Sequence, residues 1–126
     1  MIKKILIFLT FAILISGAIF QTAYLNSTFG TLDSMAQTIQ AQAEEGDFTA
    51  AQTSVDELFS TFDHHHTLLA ICLEHQELDN LYAEMENLRA FINTHNQTDL
   101  APTFARLRYY IQHIIEMDSL SIGNIM

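Results

Sequence analysis

Phe48-Thr49-Ala50-Ala51-Gln52-Thr53-Ser54-Val55-Asp56-Glu57-Leu58-Phe59-Ser60-Thr61-Phe62 is the stretch on which the fold turns. Phe48, Ala51, Val55, Leu58 and Phe62 recur at alternating steps of three and four. That rhythm is the seam of a helix packed lengthwise on another helix. It continues through His65, Leu69 and Cys72. Three further stripes keep the same step. One precedes it, through Leu25, Phe29, Leu32, Ala36, Ile39 and Ala43. Two follow, through Leu78, Leu81, Met85, Leu88 and Ile92, and through Leu100, Phe104, Leu107, Ile111 and Ile114. Almost no strand signal competes with them. The chain is therefore expected to be all-α: an N-terminal transmembrane helix continuing, as a stiff stalk, into a small antiparallel bundle of about four helices.

The breaks between stripes are legible too. Gly46 ends the first stripe, and Asp47 can cap the second by accepting orphan N–H groups. Thr94 to Thr98 is a polar linker, with Asp99 expected as the cap of the fourth helix and Pro102 in its first turn, where a missing N–H does no harm. Between the second and third stripes there is neither Gly nor Pro. From Cys72 to Leu78, however, is six residues where seven would keep register, so a tight turn is expected there, in Glu74-His75-Gln76-Glu77.

Before the stripes stands Met1-Ile2-Lys3-Lys4, and then no charge until Asp33. A helix from Ile5 to Leu25 would span roughly 30 Å, the thickness of a bilayer's hydrocarbon. Both Lys precede it, which puts the N-terminus in the cytoplasm, the rest outside, and Tyr24 at the outer boundary. A cleaved signal peptide is the rival reading, because Ser16-Gly17-Ala18 offers small residues in the right place. Its new terminus would be the apolar Ile19-Phe20, with no turn-former before it, which favours an uncleaved signal-anchor. The expected organisation is a head and span over 1–25, a bundle over 26–118 and an apolar tail over 119–126.

The sequence has 126 residues, with 15 Asp and Glu against 5 Lys and Arg. Beyond the span only Arg89, Arg106 and Arg108 are basic. Such a balance excludes nucleic acid, whose phosphates need basic partners. It should also repel anionic headgroups and hold the bundle off the membrane. A single cysteine, Cys72, excludes an internal disulfide and a thiolate metal cage, and on a seam it reads as buried filler.

Two histidine groups invite a functional reading. His64-His65-His66 cannot converge on one ion, since consecutive helical residues point about 100° apart. His65 falls on the seam and would need a hydrogen-bond partner. His75 and Asp79 are four apart on one face, with Glu77 between them and His113 on the last helix. These four form the candidate polar cluster, read either as a weak ligand set or as a turn-capping network. A His113–Glu116 pair could do general base work, but no Ser, Cys or metal signature accompanies it. No catalytic residue, metal ligand or cofactor is assigned. Leu120, Ile122, Ile125 and Met126 are apolar beyond the expected end of the last helix, a tail that either folds back or docks on a partner.

Several strings occur together in order. Gly46-Asp47-Phe48-Thr49-Ala50-Ala51 opens the second helix, His75-Gln76-Glu77-Leu78-Asp79 opens the third, and His113-Ile114 closes the fourth. The chain ends Leu120-Ser121-Ile122-Gly123-Asn124-Ile125-Met126. Behind one N-terminal membrane helix, this set resembles the bacterial domain-of-unknown-function family 4363 over essentially the whole chain. Phe48 stands where that pattern has Trp, Gly123 where it has an acid, and the His64–His66 run lies outside it. The resemblance implies a membrane-anchored, extracytoplasmic helical protein of Gram-positive bacteria, and it brings no established activity. The expected function is a non-enzymatic interaction or accessory module whose partner is another membrane or envelope protein; the seams are also compatible with a homo-oligomer. The alternative is a bundle sensor holding a cation or small ligand and acting through a membrane partner.

Overall fold

The structure is a computed structural model that describes the backbone of residues 1–125 and the side chains of residues 1–118. Within these the chain forms four α-helices: α1 (Ile2–Glu44), α2 (Phe48–Cys72), α3 (His75–Asn93) and α4 (Gln97–Ile125). Helix α1 packs on α2 and α4, and α3 packs on the same two, which closes an up-down-up-down ring. The seams fill its centre. Every residue of the first, third and fourth stripes is buried. In the second, Ala51, Val55, Leu58, Phe62 and Leu69 are buried, while Phe48, His65 and Cys72 are half-buried at the ends. Burying one such Leu or Phe contributes about 1.5–3 kcal/mol, so the seams are the main source of stability.

Three connections set the topology. Gly46 has a φ of 80°, and the N–H groups of Gly46 and Asp47 donate to the carbonyls of Ala43 (3.0 Å) and Gln42 (2.9 Å). That pair of bonds closes a helix when the residue after its end enters the left-handed region, where glycine carries no penalty. Asp47 then caps α2, accepting from the Ala50 N–H at 3.1 Å. Helix α3 ends in the same bonds, His95 to Ile92 (3.2 Å) and Asn96 to Phe91 (2.8 Å), but the left-handed residue is His95, with φ 54°. Its ring stacks on Phe48 at 4.3 Å, a contact that offsets part of the backbone penalty of about 1–2 kcal/mol. The α2–α3 turn falls where the register slips: α2 stops at Cys72, Leu73 and Glu74 are extended, and α3 begins at His75.

Four expectations need correcting. Helix α4 begins at Gln97, so its cap is Asn96, whose Oδ1 accepts from the Asp99 N–H (3.3 Å) while its Nδ2 donates to the Asp99 carboxylate (2.7 Å). Pro102 therefore lies beyond the first turn and leaves the Thr98 carbonyl without its usual donor. No stalk separates span from bundle. Helix α1 is continuous, but Gln21 already donates to Asp118 (3.4 Å) and Leu25 is fully buried. Finally, α4 does not stop near residue 118: it continues to Ile125, so tail positions 120, 122 and 125 are helical. Their side chains, and Met126 altogether, lie outside the described residues.

Below the bundle α1 is a bare apolar rod. It is long and apolar enough to cross a membrane, and none of its most apolar 18-residue window is buried.

Candidate functional site

The lower end of the bundle, where α1 emerges, α2 meets α3 and α4 descends, gathers most of the residues that drew attention in the sequence. Tyr24 is not free at a boundary. Its hydroxyl and His65 Nδ1 are hydrogen-bonded at 2.7 Å, so the seam histidine has its partner on the neighbouring helix. His64 and His66 diverge from it: His64 meets His65 edge-on at 5.1 Å, and His66 lies edge-on to Phe62 at 6.0 Å.

The four residues of the candidate polar cluster are not brought together. Residues two apart on a helix are rotated by about 200°, so Glu77 faces away from His75 and Asp79. Glu77 shares a hollow of about 220 Å³ with Asn80, Tyr109 and His113, where His113 stacks on Tyr109 at 5.8 Å. Asp79 lines a different cleft of about 320 Å³ between α2 and α3, with Phe62, Asp63, His66 and Tyr82. His75 is exposed at the start of α3. Glu74 caps that helix through its carbonyl alone, without a side-chain bond, so the expected capping network at the turn is absent among the described residues. No group of three or more His, Cys, Asp or Glu is placed to hold a metal among the described residues.

Burial, and secondarily the nearby Asp118 carboxylate, push the Cys72 thiol up, away from the thiolate form that reacts.

Three ion pairs join one helix to another without a mark in the sequence. Arg108 Nε and Nη2 grip the buried Asp33 carboxylate at 2.9 and 3.2 Å, and Gln37 adds a third donor at 2.9 Å. Burial pushes the Asp33 carboxyl up, but the bonds from Arg108 and Gln37 and the Arg108 charge together hold it below the usual carboxylate range. Arg106 Nε donates to Glu84 at 3.0 Å and its Nη2 to Thr103 at 3.3 Å. Arg89 reaches Asp56 at 3.4 Å and lies 3.7 Å over the Phe59 ring, a cation–π contact. The spacing within each helix could not have marked these pairs, because every partner is on another helix.

These features define a class: a four-helix bundle whose first helix extends as a potential membrane span, with its polar interior given over to structural pairs. The chain belongs to the family described as Domain of unknown function (DUF4363), whose model matches residues 19–125. Neither a curated protein nor a solved structure matches it.

Proposed function

We propose that this chain is a non-enzymatic interaction module, held to the cell membrane by an uncleaved α1 with its N-terminus in the cytoplasm and its bundle outside. Its partner is another membrane or envelope protein. The observation that carries this reading is the fate of the bundle's arginines. Arg89, Arg106 and Arg108 are each engaged by a carboxylate of the bundle itself. The remaining acids, Glu57, Glu86 and Glu116 among the exposed ones, form no salt bridge with an arginine among the described residues. A surface of that kind attracts and orients a basic face. The position of the terminal segment supports the choice of a membrane partner. Helix α4 continues below the Gln21–Asp118 contact, which brings Leu120, Ile122 and Ile125 to the level of the span.

A pull-down of the full-length protein from its own membranes in mild detergent tests this. A partner should be recovered at low salt and lost as ionic strength shortens the Debye length from about 10 Å towards 3 Å. The triple variant Glu57→Gln, Glu86→Gln, Glu116→Gln should lose it with an unchanged helical circular-dichroism signal, and removal of residues 120–126 should weaken it. Recovery of the protein alone, with turnover of a substrate dependent on His75 or His113, would refute the proposal.

The alternative reading is a cation-binding sensor bundle: Asp63, His66 and Asp79 line the same α2–α3 cleft, although they are not grouped closely enough to hold an ion unaided. Under that reading a divalent metal should raise the melting temperature and Asp79→Asn should abolish the rise. An interaction module should show neither.

A further inference from the structure

The length of free span below the bundle does not match the membrane it would cross. The bundle's lower rungs on α1 are fixed by two contacts, Tyr24 with His65 and Gln21 with Asp118. Between Lys4 and Gln21 only residues 5–20 remain uncommitted, and they rise about 24 Å as a helix, against about 30 Å of hydrocarbon and about 40–45 Å with the headgroups. A bundle standing clear of the lipid would therefore drag Lys3 and Lys4 into the apolar layer, or force the bilayer to thin.

The exposed apolar side chains point to another solution. Outside α1, the described large hydrophobics left exposed are Leu68, Ile71, Tyr82, Tyr109 and Met117. Three of them, Leu68 (52%), Ile71 (76%) and Met117 (49%), lie at the end where the span emerges, the first two in the last turns of α2 and Met117 next to Asp118 on α4. At the opposite end, around Gly46 and His95, no large hydrophobic is exposed among the described residues. Isolated exposed leucines are ordinary, but three of five gathered at the membrane-facing end, with none at the other, are not.

We propose that the lower end of the bundle is seated in the headgroup layer of the adjacent leaflet, with Leu68, Ile71 and Met117 against lipid. The proposal rests on α1 being a membrane span. Seating cuts the mismatch to about 6 Å, which the long side chains of Lys3 and Lys4 can cover by snorkelling, and it removes the three side chains from water. Glu74, Glu77 and Asp118, at the same end, limit the depth to the interface and favour zwitterionic over anionic headgroups. The sequence-based expectation that net negative charge holds the whole bundle off the membrane then applies to its upper part alone.

The test uses the full chain with Cys72→Ala, reconstituted into phosphatidylcholine vesicles, carrying single cysteines at Ser16, Ile71 or Thr53 labelled with an environment-sensitive fluorophore. Circular dichroism confirms that each variant keeps its helices. Lipids bearing a nitroxide near the headgroup should quench the label at position 71 several-fold more than at position 53, and its emission should shift to the blue. A nitroxide deep in the acyl chain should act most on position 16. If position 16 is quenched while 71 behaves like 53, the span stands and the seating is overturned, leaving the patch to a protein partner. If position 16 is not quenched either, the anchor and the seating fall together.

Discussion

Phe29→Ala should destabilise the bundle by about 3–5 kcal/mol, whereas Phe11→Ala on the same helix should leave its stability unchanged. Phe29 is 0% exposed in the first seam, and Phe11 is 61% exposed on the bare rod below it. Truncating Phe29 removes the transfer energy of a ring and leaves a cavity that the neighbouring helices cannot close without shifting. A bundle of this size has about 5–15 kcal/mol in total, so the loss is a large fraction of it. Truncating Phe11 removes contact with detergent or lipid and nothing from the core. Denaturant unfolding of both variants in the same micelles, followed by helical circular dichroism, gives the comparison. Equal midpoints would mean that α1 does not join the core through Phe29.

The second large effect lies at the Asp33–Arg108 pair, and it is asymmetric. Arg108→Ala leaves a buried carboxylate with only Gln37 as a side-chain donor and should cost about 2–4 kcal/mol at pH 7. Asp33→Ala leaves a guanidinium that is already 43% exposed and can turn to water, so about 1–2 kcal/mol is expected. The two variants should also differ in their response to acid. In the folded protein the Asp33 pKa is depressed, so the stabilisation it contributes is fully present above the unfolded carboxylate value of about 3.9 and is lost as pH falls through the folded value. Asp33→Asn should flatten that part of the acid limb. Arg108→Ala should begin to lose its excess penalty above that window, because without the cation burial raises the Asp33 carboxyl and protonation relieves it. Unfolding curves from pH 7 down to pH 3 for the three variants decide this. Parallel curves would show that the pair is not formed in solution.

The contrast between these two sites explains what was legible in the sequence. Phe29 belongs to a stripe, and a stripe is a local property: steps of three and four put its members on one face whatever the partner helix is. The seams, the Gly46–Asp47 break and the slip between Cys72 and Leu78 could all be read in that way. Asp33 follows Leu32 and Arg108 follows Leu107, so each flanks a seam, but what makes them a pair is the closure of α4 on α1, 75 residues away. The candidate cluster failed for the opposite reason. His75 and Asp79 do share a face, but nothing local told which face α3 would turn towards α2 and which towards α4, and Glu77 and Asp79 part there. The last helix runs past the expected end because its stripe stops at Ile114, and a stripe marks only where a helix is packed while the backbone carries on to Ile125.

Helix α1 runs from Ile2 to Glu44 without a proline or a break, through the span and up one edge of the bundle. Where it crosses a bilayer it is a lever with no joint. From Gln21 to Glu44 the upper arm measures about 35 Å, so a tilt of about 10° in the lipid swings the Gly46 turn sideways by about 6 Å. The direction in which the acidic surface faces is then decided by the thickness and lateral packing of the surrounding lipid, and a partner gripping the top of the bundle would feel the membrane as a torque.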